Sequence, residues 1–255
     1  MRRSPFLIVA IVALATATAA VAGPVVSGPD GNTQSIESLI TPKKLSKTKL
    51  TPATLQVTTV TGSTTDPNGV PSPAIHATID FDKNATLFTK GLPTCNPASV
   101  INQSTEAAEQ ACGKAKIGSG HAVALLRAGK VYEVPQVVTA FNGTPKEGKP
   151  TVILHTYGTT PLQASVVLVG TVSKVNKEGY GPRLDLEVPL IAGGTGSLTE
   201  FEVKISKKWR YKGQQRSFIS AKCPNSKKLK ARGTFTYRDG QSLTALSTQT
   251  CKQAK

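Results

Sequence analysis

Ile75-His76-Ala77-Thr78-Ile79-Asp80-Phe81 is the stretch that decides the fold class. On an extended chain Ile75, Ala77, Ile79 and Phe81 share one face, and His76, Thr78 and Asp80 the other, the period of a half-buried strand. Leu184, Leu186, Val188 and Leu190 alternate likewise with Arg183, Asp185 and Glu187. So do Phe201, Val203 and Ile205 with Glu200, Glu202 and Lys204. Such apolar-in, polar-out alternation belongs to antiparallel strands with one face on a core. The runs Val131–Phe141, Val152–Tyr157 and Ala164–Val172 are more continuously apolar and suit central strands, while Pro135 and Pro189 point to edges or bulges. Thr64-Thr65-Asp66-Pro67-Asn68-Gly69 separates the Leu55–Val60 run from the Ile75 strand as a loop. Asp239-Gly240, between Thr234–Arg238 and Ser242–Thr250, reads as a type I′ hairpin turn.

One region departs from this period. Asn96 is placed to cap a helix with Pro97 at its first position, Glu106–Ala111 tolerates helix, and Gly113 is a stop signal. The pattern predicts a short helical excursion over 97–112. Roughly ten strands without an internal repeat imply an all-β fold, an antiparallel β-sandwich with a jelly roll as one form of it. Aromatic residues make up only 5% of the chain and Met occurs once, so the core must come from Val, Ile, Leu and Ala.

The first segment reads as an address. Arg2 and Arg3 precede the short apolar run Phe6–Leu14, and Ala20-Val21-Ala22 offers the small residues of a cleavage site, so 1–22 is expected to be a signal peptide. The run is too short and too diluted by Thr16 and Thr18 for a spanning helix, and no later stretch is apolar enough to cross a bilayer. Residues 23–50, with the breakers Gly23-Pro24, Gly28–Asn32 and Thr41-Pro42 and the cations Lys43, Lys44, Lys47 and Lys49, read as a flexible basic lead-in. Residues 51–255 are then a single sandwich domain. The formal charge of +16 falls to +14 once Arg2 and Arg3 leave with the leader. A charge of that size draws a protein toward anionic surfaces.

Four cysteines in an exported chain read as two disulfides, for which three pairings exist. Cys95–Cys112 and Cys223–Cys251 are favoured because each is local and the two lie far apart. No C-x-x-C occurs and no His stands at ligand spacing from a Cys, so neither a metal nor a cofactor is expected. The stretch Gly91-Leu92-Pro93-Thr94-Cys95, then Ala111-Cys112, then Lys116-Ile117-Gly118-Ser119-Gly120-His121-Ala122, resembles a pattern of secreted, largely uncharacterised actinobacterial proteins. The likeness covers about a third of the mature chain, to about residue 125, and departs from it at Gly113, where members carry Pro. It implies export and a β-rich fold, and it carries over no catalytic residue.

Candidate chemistry is sparse. Ser119 and His121 share a strand face, but the G-x-S-x-G elbow is missing and no acidic residue follows as orienter. His76 and His155 read as single strand histidines. The pairs Asp80/Asp82 and Asp185/Glu187 read as solvated strand faces rather than as the carboxylates of a glycosidase or a Ca²⁺ site. Gly193-Gly194-Thr195-Gly196-Ser197 lacks the Lys of a P-loop and reads as a turn.

The most informative segment is Val203–Arg232, which holds eleven Lys/Arg and no Asp or Glu. Within it Trp209 and Tyr211 alternate with Lys208, Arg210 and Lys212, beside Lys207, Lys227, Lys228 and Lys230. Cations beside aromatics suit phosphate-containing wall polymers, acidic glycans or anionic lipid heads. Nucleic acid fits the charge but not an exported protein. The reading is a secreted or cell-envelope protein, not an enzyme, that binds an anionic polymer or glycan through a basic face. A secreted hydrolase on the same scaffold and a structural or protein-interaction module are the alternatives.

Overall fold

The computed structural model describes residues 23–254, so the leader expected over 1–22 lies outside the described residues. The first strands, β1 (Val26–Ser27), β2 (Asn32–Thr41), β3 (Lys44–Ser46), β4 (Thr51–Ser63), β5 (Ala74–Asp82) and β6 (Ala85–Leu87), lead to the helix α1 (Thr105–Cys112). There follow β7 (Lys116–Ala128), β8 (Lys130–Lys146), β9 (Lys149–Gly158), β10 (Ala164–Lys174), β11 (Tyr180–Glu187) and β12 (Gly196–Ile205). The last part holds β13 (Lys208–Tyr211), β14 (Gln214–Ser217), β15 (Ile219–Ala221), β16 (Lys228–Tyr237), β17 (Ser242–Thr250) and β18 (Lys252–Ala254).

Eleven of these strands form one wall in the order β2-β4-β12-β7-β8-β9-β10-β11-β5-β16-β17, each antiparallel to its neighbours. An odd number of alternating strands leaves the two end strands parallel, and here β2 and β17 meet. Side chains close this seam. Ser247 Oγ accepts from Ser38 N at 3.0 Å, Gln249 Oε1 accepts from Ile40 N at 2.6 Å, and Gln249 Nε2 donates to Ile40 O at 2.8 Å. Farther along the seam β1 pairs with β2, and Gly23 lies so near the Ile36 and Leu246 carbonyls that a side chain would collide there.

The sheet therefore rolls into a near-closed barrel, where the alternation had suggested two stacked layers. Both arrangements bury every second residue, so the local pattern is the same. What separates them is whether the end strands meet.

Ile36, Val57, Ile79, Val138, Phe201 and Leu243, from around the whole wall, pack in one core cluster. Their packing leaves a cavity of ≈ 140 Å³, lined along β4 from Leu55 to Thr61. The outer face is polar and the inside apolar, the reverse of a membrane-spanning barrel. Among the described residues no helix is long and apolar enough to cross a membrane.

Both disulfides pair as expected, Cys95 with Cys112 and Cys223 with Cys251. Four details differ from the sequence reading. Residues 23–50 do not trail away: β2 is part of the wall, and β3 pairs with β18. The helical excursion splits into a single turn at Pro97–Ser99, capped by Asn96, and α1, capped by Ser104. Asn102 between them sits at φ 56°, which interrupts the helix. Pro135 lies inside β8, paired to Val123; this is tolerated because the β9 ladder on its other side stops at Val137. In the 238–241 turn only Gly240 has positive φ, so the loop is longer than a two-residue type I′ turn.

Gly118 and Gly120 of β7 let β12 approach so closely that a side chain at either position would strike the carbonyl of Lys204 or Glu202. This is the structural reason for the Gly-x-Gly spacing in the quoted motif.

Candidate anion-binding end of the barrel

Because the wall strands alternate in direction, residues 42–50, 83–115, 146–149, 174–179, 206–228 and 251–254 all leave the barrel at one end. These segments carry twenty Lys/Arg against Glu106, Glu109, Glu147 and Glu178. The segments at the opposite end, 23–31, 64–73, 127–130, 159–163, 188–195 and 238–241, carry Arg127, Lys130 and Arg238 against Asp30, Asp66 and Asp239. The charge of the molecule is thus gathered at one end.

The 203–232 segment builds much of that end. Lys212 and Gly213, at φ 49° and 75°, form the tight turn that joins β13 to β14. Alternation along β13 sends Lys208 and Arg210 to solvent and Trp209 and Tyr211 onto the body of the protein. Trp209 stacks on Phe88 at 5.9 Å and its Nε1 donates to Lys90 O at 3.1 Å. Tyr211 meets Phe88 edge-on at 6.0 Å and covers Gly91, where φ is 77° and no side chain would fit. The guanidinium of Arg216 lies 5.1 Å over the Phe88 ring. The two aromatics therefore fasten the hairpin, and Lys208 and Arg210 stay exposed.

Lys212, Lys227 and Lys228 are exposed and Lys207 is half-buried, all at the same end. Lys230 departs from the set. Its Nζ donates to Glu178 O at 2.5 Å and rests 4.5 Å over Tyr180, so it is held by the chain within the protein. The sequence reading missed the contribution of Lys43, Lys44, Lys47 and Lys49, all exposed. Cys223 N donates to Ser46 O at 2.9 Å, and β3 pairs with β18 just after Cys251. The Cys223–Cys251 bridge thereby ties the early lysines to the late ones. No local signal in the sequence announces that contact.

The remaining candidates lie on the convex outer wall. His121 Nε2 is 3.0 Å from Glu200 Oε1, while Ser119 beside it is exposed. Asp80 binds Arg183 and Arg232, and Asp82 accepts from Asn84 and from Lys230 N, so both acids hold the wall together. His76 Nε2 stands 3.0 Å from Asp185 and 3.8 Å from Glu187, a trio whose ligand atoms lie within 4.8 Å of one another and which sequence spacing did not reveal. His155 is fully buried beneath the residues preceding α1, with Nε2–H donating to Gln103 O at 3.0 Å. Burial pulls its pKa below 6.5 against the pull of that carbonyl. Comparison with protein-family models, with curated proteins and with solved structures gives no match.

Proposed function

We propose that this chain is an exported, non-catalytic protein that attaches to anionic envelope polymers, phosphate-bearing or acidic-glycan, through the basic end of its barrel. The observation that carries the reading is the gathering of twenty cations against four glutamates at one end, with the remaining acids spread over the side wall and the far end. Fields from such a patch add up over a linear polyanion and weaken with salt, because the screening length is about 8 Å at physiological ionic strength. The leader read over 1–22 and the two disulfides fit an oxidising compartment outside the cytoplasm.

Retention of the mature protein on a heparin resin and on cell-wall preparations tests the proposal. Wild type is expected to be held at low salt and released as salt rises. Lys207→Glu, Lys208→Glu and Arg210→Glu together should elute at clearly lower salt, and adding Lys43→Glu and Lys44→Glu should abolish retention. Unchanged elution of the five-fold variant would refute the proposal.

A further inference from the structure

The barrel interior is a site that the basic end does not explain. The cavity touches β2, β4, β5, β6, β9, β10, β11, β12, β15 and β16, and among its lining residues only Thr59, Thr61 and Arg183 are polar. Arg183 is not free to serve it, since its guanidinium is engaged by Asp80 at 2.6 and 2.9 Å. Thr61 gives its hydroxyl to Gln34. The wall thus offers an occupant almost no hydrogen-bond partner, and an apolar space of this kind stays dry and takes apolar guests.

The composition explains why the space remains. A wall of eleven strands encloses more room than the eight whose side chains just fill a barrel. The chain has few large residues to spend there, and Ala77, Gly170 and Ala245 stand at inward positions.

Shape narrows the guest. The lining runs from Leu55 to Thr61 along β4, six residue steps or about 20 Å of strand. The ≈ 140 Å³ is the space open to the centre of a water-sized sphere. Drawn out over that length and widened by the sphere's own radius, it makes a channel about 6 Å across, better matched to an unbranched chain than to a fused ring. At the far end the buried Gln34, Thr61 and Tyr237 form a hydrogen-bonded group, Val70 is buried in the 64–73 loop, and Ser197 donates to Pro71 O. At the basic end the buried Phe218 and Ile219 cover one side of the cavity, while on the β5, β6, β10 and β11 side the lining residues Phe81, Leu87, Val172, Pro182 and Leu184 are only half-buried.

We infer that the barrel binds a single-chain anionic amphiphile, its acyl chain in the cavity and its anionic head at the basic end. Only the placement of the head rests on the reading of that end as anion-binding.

Titration of solvent-extracted, refolded protein with cis-parinaric acid, whose fluorescence rises in apolar surroundings, tests the inference. Saturable binding near one per chain is expected. Ala77→Trp and the milder Leu168→Phe, each placing bulk in the channel, should weaken it by tenfold or more. Val137→Trp, on the outer wall, should leave it unchanged. Circular dichroism and melting confirm which variants fold, and either filling variant suffices. Retention on heparin should survive in the filling variants, which separates failure here from failure of polymer attachment. The inference is overturned if binding is absent, persists in a folded filling variant, or is lost in Val137→Trp. For the head, the alcohol of the same chain should displace the probe several-fold less well than the acid at low salt, and equally at high salt. Equal displacement at low salt would overturn the head placement.

Discussion

Asp80 is 2% exposed, yet it stays ionised because it lies in register between Arg183 on β11 and Arg232 on β16. Burial pushes its carboxyl up, and the hydrogen bonds and charges of the two guanidiniums outweigh that and hold it below 3.8. His155 is held below 6.5 by burial. For both groups the unfolded chain binds more protons in the window just below its own pKa, so stability there rises with pH. The His155 contribution is complete above 6.5 and the Asp80 contribution above 3.8, and each is lost as pH falls through the folded-state value. Denaturation measured from pH 8 to 3 should show a first decline below about 6.5 and a second below about 4. Asp80→Asn should shrink the second step, which Asp66 and Asp239, also held below 3.8, share, and cost about 2 kcal/mol at pH 7, below the range for fully buried pairs because both guanidiniums reach solvent. A profile flat down to pH 4 contradicts the account of His155. Gln136 offers the opposite case. It is buried between Ala122 and Gly158, and neither amide atom has a hydrogen-bond partner among the described residues. Gln136→Met should raise stability by about 1 kcal/mol, read from the denaturant midpoint.

Among elements, the seam between β2 and β17 is the weakest part of the wall, because side chains replace a backbone ladder there. Gln249→Ala leaves the Ile40 N–H and C=O without their partner, at about 1–3 kcal/mol for each buried group left unpaired. Amide exchange at Ser38 and Ile40 should accelerate well beyond that at Val57 on the neighbouring β4. Equal rates at these positions would show that the seam does not depend on Gln249. Strands with strong alternation, such as β5, β11 and β12, were legible in the sequence because the period of two is local. The roles of Ser247 and Gln249 were not, since their partners lie 209 residues away. In β13 the alternation was visible but its meaning was open, and Phe88 decides that Trp209 and Tyr211 face the body.

Across the molecule the same limit explains what the sequence concealed. Inward and outward residues look alike in a sandwich and in a barrel, so closure could not be read from periodicity. The basic character of 207–228 was plain, but its union with Lys43–Lys49 exists only through the β3–β18 pair and the Cys223–Cys251 bridge. The internal channel follows from strand count and small inward residues together, neither of which a local window displays.

Hydrogen–deuterium exchange of the mature protein, with and without a soluble polyanion such as heparin, tests most directly the proposal that one end of the barrel binds anions. Added protection is expected in 42–49, 207–216 and 222–228, fading as salt is raised, with 64–73 and 188–195 unchanged. Protection at the far end, or spread evenly over the outer wall, would contradict the account.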